Sequence, residues 1–367
     1  MNSRHCVLFG DSRKMDDVEE NSVDLVVTSP PYPMIEMWDE LFSSFSSKIA
    51  ASVKNKEGAQ AFELMHKELD QVWRELNRVV KPSGFVCINI GDATRKMGQD
   101  FQLYSNHSRI THAMVKLGFQ PLPVILWQKS TNSPNKFMGS GMLPAGAYVT
   151  LEHEYILIFR KGGKREFSCA QQKQNRNESA MFWEERNTWY SDTWRLKGVR
   201  QNTGKDNLRQ RNAAFLFELP HRLINMYSVK GDTVFDPFLG TGTTLCAAIV
   251  SERNAIGMEC DENFADLITE NIHTCAMLSS ETINTRLETH KAFILSRLEA
   301  GRQIKHHNLF YDFPVVTRQE TQIRFHPVLQ ITCENLSHIS VEYSTDIKKL
   351  PVIKPQVKNT DPQLLLF

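Results

Sequence analysis

Clustered cysteine is missing from this chain. Its seven cysteines are dispersed and none stands in a Cys-x-x-Cys pair, so neither a zinc site nor a disulfide framework is expected, and no metal is called for. Reduced thiols of a cytoplasmic protein are the simple expectation. No apolar run approaches the length of a membrane span. The first five residues are polar and no apolar segment follows that would serve as a secretory signal. No internal repeat is visible. An excess of charge is missing too: 43 Lys and Arg stand against 42 Asp and Glu, a formal net of +1. A nucleic-acid partner would therefore have to show in the local distribution of charge. What the chain does have is 367 residues, 41% hydrophobic and 23% charged. That suffices for a packed core in one large domain or two ordinary ones and makes wholesale disorder a poor description.

The most informative stretch is Thr28-Ser29-Pro30-Pro31-Tyr32-Pro33. It follows the apolar run Val23-Asp24-Leu25-Val26-Val27, which reads as a buried strand. Two prolines end that strand and hold the backbone extended. The Pro30 carbonyl is then free of a regular ladder, Ser29 offers a hydroxyl beside it, and Tyr32 offers a flat face. Two acceptors and an aromatic face at one strand end form a holder for a planar group bearing an NH2. The same residues would also serve as no more than a rigid turn.

A second strand–turn–helix lies far along the chain, in Asp232-Thr233-Val234-Phe235-Asp236-Pro237-Phe238-Leu239-Gly240-Thr241-Gly242-Thr243-Thr244. Gly240 and Gly242 allow close approach of the backbone to a ligand. The third glycine of a dinucleotide fingerprint is absent, since Leu245 stands there, and so is the Gly-Lys-Ser/Thr of a phosphate loop. Such a loop suits a ligand whose head is an amino acid. The next strand, residues 254–259, ends in Glu259, 23 residues after Asp236. An acid near that spacing grips ribose hydroxyls in nucleotide-binding folds.

Together these residues resemble the amino-methyltransferases that act on DNA bases with S-adenosylmethionine. Ser29-Pro30-Pro31-Tyr32 is similar to that family's catalytic motif, and Asp236-Pro237-Phe238-Leu239-Gly240-Thr241-Gly242 to its cofactor loop. The catalytic motif comes first, the order of the permuted beta group. The resemblance covers roughly residues 6–271. It implies an α/β fold with a doubly wound, mostly parallel sheet, and S-adenosyl-L-methionine as cofactor. It further implies that Asp11, Asp236, Pro237, Phe238, Gly240, Gly242, Thr243 and Glu259 line the cofactor site. Asp11 follows the strand at residues 6–9 and could equally be a helix cap. Serine in first position is the form associated with N4 of cytosine. The implied division is a catalytic half at 1–159, a target-recognition region at 160–211, a cofactor-binding half at 212–300 and an extension of unknown role at 301–367.

Residues 160–211 differ in character from the rest. They hold 13 Lys and Arg against 6 Asp and Glu, and three of the six tryptophans, Trp183, Trp189 and Trp194. A basic segment with interleaved aromatics fits contacts to phosphates and bases, and Arg186, Arg195, Lys197 and Arg200 are the candidates. It could also be a solvated insertion. Elsewhere, Phe62 to Val80 recur at helical spacing and stop at Lys81-Pro82-Ser83-Gly84. Residues 130–147, rich in Ser, Asn, Gly and Pro, predict a loop. Asp261 is placed to cap a long helical stretch toward Gly301, with a break near Ser279-Ser280. Ile323, Phe325, Leu329 and Ile331 alternate as a strand, and Pro327 makes it an edge or a bend. Residues 348–362 carry three prolines and read as poorly ordered.

The expected activity is methylation of N4 of cytosine in duplex DNA by base flipping, as the modification arm of a restriction system. The alternatives are adenine N6, structured RNA as substrate, or a non-catalytic DNA-binding protein on the same scaffold. No acid–acid–lysine constellation of a nuclease stands out in the tail, so a cognate restriction endonuclease would be a separate chain.

Overall fold

The apolar runs become the middle of one sheet. The computed structural model describes residues 2–129, 138–139, 142–196 and 216–346. Among these, ten strands pair into a single sheet: β1 (Asn2–Phe9), β2 (Val23–Thr28), β3 (Val80–Ile90), β4 (Phe119–Gln128), β5 (His153–Lys161), β6 (Thr193–Arg195), β7 (Thr233–Asp236), β8 (Asn254–Glu259), β9 (Val328–Asn335) and β10 (His338–Tyr343). Their order across the sheet is β6-β4-β5-β3-β2-β7-β8-β1-β10-β9. The five strands from β3 to β1 in that order run parallel. β5 runs antiparallel between β3 and β4, and β10 and β9 continue antiparallel from β1. β2 is buried at all six positions, as a central strand covered on both faces must be.

The helices are α1 (Asp39–Phe45), α2 (Ser47–Lys54), α3 (Gly58–Val79), α4 (Asn106–Lys116), α5 (Ala170–Glu178), α6 (Trp183–Trp189), α7 (Glu218–Tyr227), α8 (Thr243–Val250) and α9 (Ala265–Glu299), and three two-stranded sheets lie outside the main one. On one face, α3 and α4 bury Met65, Leu69, Trp73 and Ile110 with Val26, Val86 and Ile88. On the other, α7, α8 and α9 bury Leu219, Leu223, Ala247 and Ile268 with Leu25, Val27 and Val234. The alternation of Leu25, Val26 and Val27 between the two sets is the period-two signature of a strand inside a doubly wound sheet.

Parallel pairing brings the carboxyl ends of β1, β2, β3, β7 and β8 to one edge. Phe9 lies opposite Glu259, and Asp236 opposite Gly257. Because β5 runs the other way, its start meets the same edge, with Tyr155 opposite Ile90. Ligands of open α/β sheets bind outside such an edge.

Two expectations for the last third are corrected. Ile323 and Phe325 do not belong to a strand; they are buried against Phe182 and Phe313. The strand starts at Val328, after Pro327, and forms the outer edge of the sheet. The long helix is not broken at Ser279-Ser280: α9 is continuous over 35 residues. The Ser280 hydroxyl donates to the Ala276 carbonyl (3.3 Å), and the Ser279 oxygen accepts from the Val328 N–H (3.2 Å). Both hydroxyls are satisfied without opening the helix. Asp261 caps only the short turn before it, accepting from the Asn263 N–H at 3.0 Å.

Candidate active site

The glycine loop after β7 has the backbone its sequence demands. Gly240 and Gly242 have φ of +53° and +84°, the left-handed region that glycine enters without penalty. Gly242 caps α8, and its carbonyl accepts from the Cys246 N–H (2.9 Å). The Gly240 N–H donates to Glu259 Oε2 (2.8 Å), while Glu259 Oε1 accepts from the N–H groups of Cys260 (2.9 Å) and Asp261 (3.0 Å). The carboxylate that ends β8 is thus held rigidly against the loop that ends β7. Thr243 stands at the start of α8, its hydroxyl 3.3 Å from that of Thr241. Phe238 is half-buried on the α3–α4 side of the core.

Asp236 is buried and accepts from the Thr28 hydroxyl (2.7 Å) and the Phe238 N–H (3.0 Å). Burial raises its carboxyl to about 6, above the ordinary range, against the pull of its hydrogen bonds. The Thr28–Asp236 bond couples the two motifs directly, because Thr28 is the last residue of β2 and Ser29 follows it. On the other side, the Ser12 hydroxyl donates to the Pro237 carbonyl. Asp11 is partly exposed and pairs with Arg13 (2.6 Å), which also reaches Glu68 (2.6 Å).

Pro30 and Pro31 are buried, and Ser29 and Tyr32 half-buried. The Ser29 oxygen lies 3.0 Å from the Tyr32 hydroxyl and 3.2 Å from the Asn89 carbonyl. The Tyr32 hydroxyl donates to Glu154 Oε2 (2.9 Å) and accepts from Asn89 Nδ2 (2.8 Å), which also donates to Glu154 (2.7 Å). Glu154 in turn pairs with Lys129. Gly91 lies against this cluster: a Cβ there would stand 3.1 Å from Tyr32 Cε2 and 3.3 Å from Glu154 Cγ. Asn106 fastens the two exits together, donating to the carbonyls of Pro33 (3.1 Å) and Gly91 (2.9 Å).

The sequence assigned no site role to Thr28, Asn89, Lys129 or Glu154. A signal existed for Asn89, a polar residue inside the apolar run from Phe85 to Ile90. Asp92, two residues past β3, is bonded to the start of α4. It accepts from the His107 N–H (3.1 Å) at the start of α4 and holds the His107 ring at 2.8 Å.

The basic segment is only partly at this edge. Arg195 ends β6 and donates from Nε to Gln128 of β4 (3.0 Å), beside Lys129. Arg186 is exposed on α6, 5.7 Å from the Tyr190 ring centroid. Lys197 and Arg200 lie outside the described residues, as do residues 130–137 of the expected loop and the proline-bearing stretch 348–362. Trp189 and Trp194 are not surface aromatics: they are 6% and 1% exposed, and Trp194 Nε1 donates to the Trp189 carbonyl (3.0 Å). Indoles that cover so much apolar area settle in the core when one partner for the N–H is in reach. Trp183 remains 38% exposed.

With this geometry in view, the relatives are informative. Residues 23–270 match a protein family described as DNA methylase. The type II methyltransferase M.MthZI of Methanothermobacter thermautotrophicus is 52% identical over 328 residues, which cover 89% of this chain and 91% of that one. M.MjaI of Methanocaldococcus jannaschii, also a type II methyltransferase, is 50% identical over 281 residues, 74% of this chain and 91% of its own. A Thermus thermophilus protein crystallised with S-adenosyl-L-methionine superposes with a TM-score of 0.57 at 31% identity, covering 74% of this chain and 94% of that one.

Proposed function

The chain belongs to the DNA methylase family, and we propose that it methylates N4 of cytosine in duplex DNA as a permuted, serine-first enzyme of a restriction–modification system. At the coarser level it is a DNA methyltransferase that uses S-adenosylmethionine. The observation that supports cytosine is serine in the first position of the motif, and the position of Ser29 supports amine methylation. Its hydroxyl follows Thr28, whose side chain is bonded to Asp236 at 2.7 Å, so the amine holder adjoins the glycine loop.

The residues present fit the cofactor. A loop with two left-handed glycines admits an amino-acid head, and a carboxylate already oriented by three N–H groups is ready for ribose hydroxyls. Asp11, Asp236, Pro237, Phe238, Gly240, Gly242, Thr243 and Glu259 would hold it. When bound, it supplies an activated methyl group on a sulfonium. The protein's task is then positioning. An exocyclic amine on a base is a poor nucleophile because its lone pair is delocalised into the ring. Ser29 Oγ and the Pro30 carbonyl accept its two hydrogens and turn the lone pair outward. A base inside a duplex cannot reach this recess, so it is flipped out and stacked on Tyr32. Target recognition is assigned to residues 160–211 through their exposed cations, Arg186 and Arg195 among them, and not through Trp189 or Trp194.

Treating a DNA library with labelled cofactor and digesting it to nucleosides decides the base. N4-methylcytosine is expected; N6-methyladenine as the main product would overturn the cytosine assignment. Glu259→Ala is expected to weaken cofactor binding by about 1.5–3 kcal/mol, the scale of hydrogen bonds to a charged group. Calorimetry that finds the affinity unchanged would remove Glu259 from the site.

A further inference from the structure

We propose that Glu154 receives the proton that leaves the target amine, by way of Ser29 and Tyr32. The inference rests on amine methylation as read above, but not on which base bears the amine. Transfer forms a nitrogen–carbon bond, breaks the donor's sulfur–carbon bond and leaves one surplus proton on the amine nitrogen. Ser29 is the acceptor that holds that amine. Its oxygen is 3.0 Å from the Tyr32 hydroxyl, which is 2.9 Å from Glu154 Oε2. Three protons move in concert. The amine gives one to Ser29, the Ser29 hydroxyl proton passes to the Tyr32 oxygen, and the Tyr32 hydroxyl proton passes to the Glu154 carboxylate. Serine and tyrosine end neutral, as they began, and only Glu154 changes charge.

The surrounding donors fix this direction. Asn89 Nδ2 donates to both the Tyr32 oxygen and Glu154. An amide N–H2 has no acceptor capacity there, so the tyrosine proton points to the carboxylate. The Ser29 proton then points to Tyr32 or to the Asn89 carbonyl, and its lone pairs face the amine. Tyr32 cannot be the final base. Burial and the nearby Glu154 carboxylate push its phenol well above the ordinary range, so it conducts a proton without keeping its own negative charge. The groups facing Glu154 are Tyr32 from the β2 exit, Asn89 from β3 and Lys129 from the end of β4. The Glu154 side chain is itself 14% exposed, so the protonated carboxyl can return its proton to water directly; the Lys129 ammonium, which has no acceptor, does not carry it. Glu154 acts through Tyr32 and Ser29, not on the base itself.

Single-turnover methylation of duplex DNA by the full chain tests this. Glu154→Gln is nearly isosteric, and Tyr32→Phe removes one oxygen and keeps the ring. Each is expected to slow the step by at least about 10²-fold, the lower range for positioned proton transfer, with cofactor and DNA affinities unchanged. The double variant should be no slower than the slower single one. The wild-type rate measured across H2O–D2O mixtures should depend on more than one proton, and that signature and the acid limb of the pH–rate profile should vanish in both variants. Methylation by Glu154→Gln within about threefold of wild type would overturn the relay. So would a slowed Glu154→Gln that keeps the wild-type isotope and pH behaviour, since Glu154 would then only orient Tyr32. If Glu154→Gln does not fold, Tyr32→Phe carries the same readouts. A wild-type protein that leaves DNA amines unmethylated would instead refute the functional reading.

Discussion

Ser29→Ala is expected to raise the barrier to methyl transfer by roughly 2–4 kcal/mol, the scale for removing one preorganised polar group, while cofactor affinity stays near that of the wild type. The two effects separate because Ser29 touches only one side of the site. Its oxygen contacts the Tyr32 hydroxyl and the Asn89 carbonyl. The cofactor side is held by Thr28, Asp236 and Glu259 through bonds that Ser29 does not enter. Alanine leaves those in place, along with the Pro30 carbonyl and the Tyr32 ring. What is lost is the acceptor that orients one amine hydrogen and the first step of the proton path. Single-turnover rates with saturating cofactor measure the loss, and calorimetry without DNA measures the affinity. A parallel fall in both would mean that Ser29 supports the loop and is not part of the amine holder.

Residues that act through their neighbours in sequence were legible, and those that act across the sheet were not. A proline pair after an apolar run, or two glycines between a strand and a helix, constrain the chain locally, so both turns could be placed before any register was known. Glu154, Asn89 and Tyr32 meet only because β5 runs antiparallel beside β3, with Tyr155 opposite Ile90. Nothing near residue 154 encodes that pairing. The charge excess of the basic segment is reduced by partners that are equally distant in sequence. Lys161 donates to the carbonyls of Asn77 (2.6 Å) and Val80 (2.7 Å) at the end of α3, and Arg165 binds Asp232 (2.6 Å). These cations satisfy carbonyls and acids elsewhere in the chain, so a local charge excess overstates what remains for phosphates. The extension after Gly301 had no readable role because its strands complete an edge that begins at residue 2. β10 pairs with β1, with Asn2 opposite Glu342.

That extension is also the basis of the largest expected change in stability. Lys230→Met should cost about 3–5 kcal/mol, the range for removing one partner of a buried ion pair. Lys230 is 3% exposed and lies 2.9 Å from Glu252 Oε1, itself 4% exposed at the side chain. His326, from the extension, bonds the other carboxylate oxygen at 2.6 Å, and the Lys230 ammonium also donates to the Arg324 carbonyl. Three segments distant in sequence therefore converge on one carboxylate. Burial alone would raise the Glu252 carboxyl, but Lys230 and His326 reverse this and bring it to about 2, below its ordinary 4.5. A carboxyl lowered in the folded state stabilises it fully above pH 4.5, and that contribution is lost as pH falls toward 2. Methionine fills much of the lysine's volume but leaves the buried carboxylate with His326 and one backbone N–H. The deficit of the variant should therefore be greatest near neutral pH and should shrink on acidification through that window. Adding Glu252→Gln should restore part of the stability, because the uncompensated charge is then gone. Denaturant unfolding of the three proteins at pH 7 and at pH 3, inside that window, provides the comparison. A Lys230→Met protein within about 1 kcal/mol of wild type at pH 7, the effect of an ordinary substitution, would show that the ion pair does not fasten the extension to the sheet.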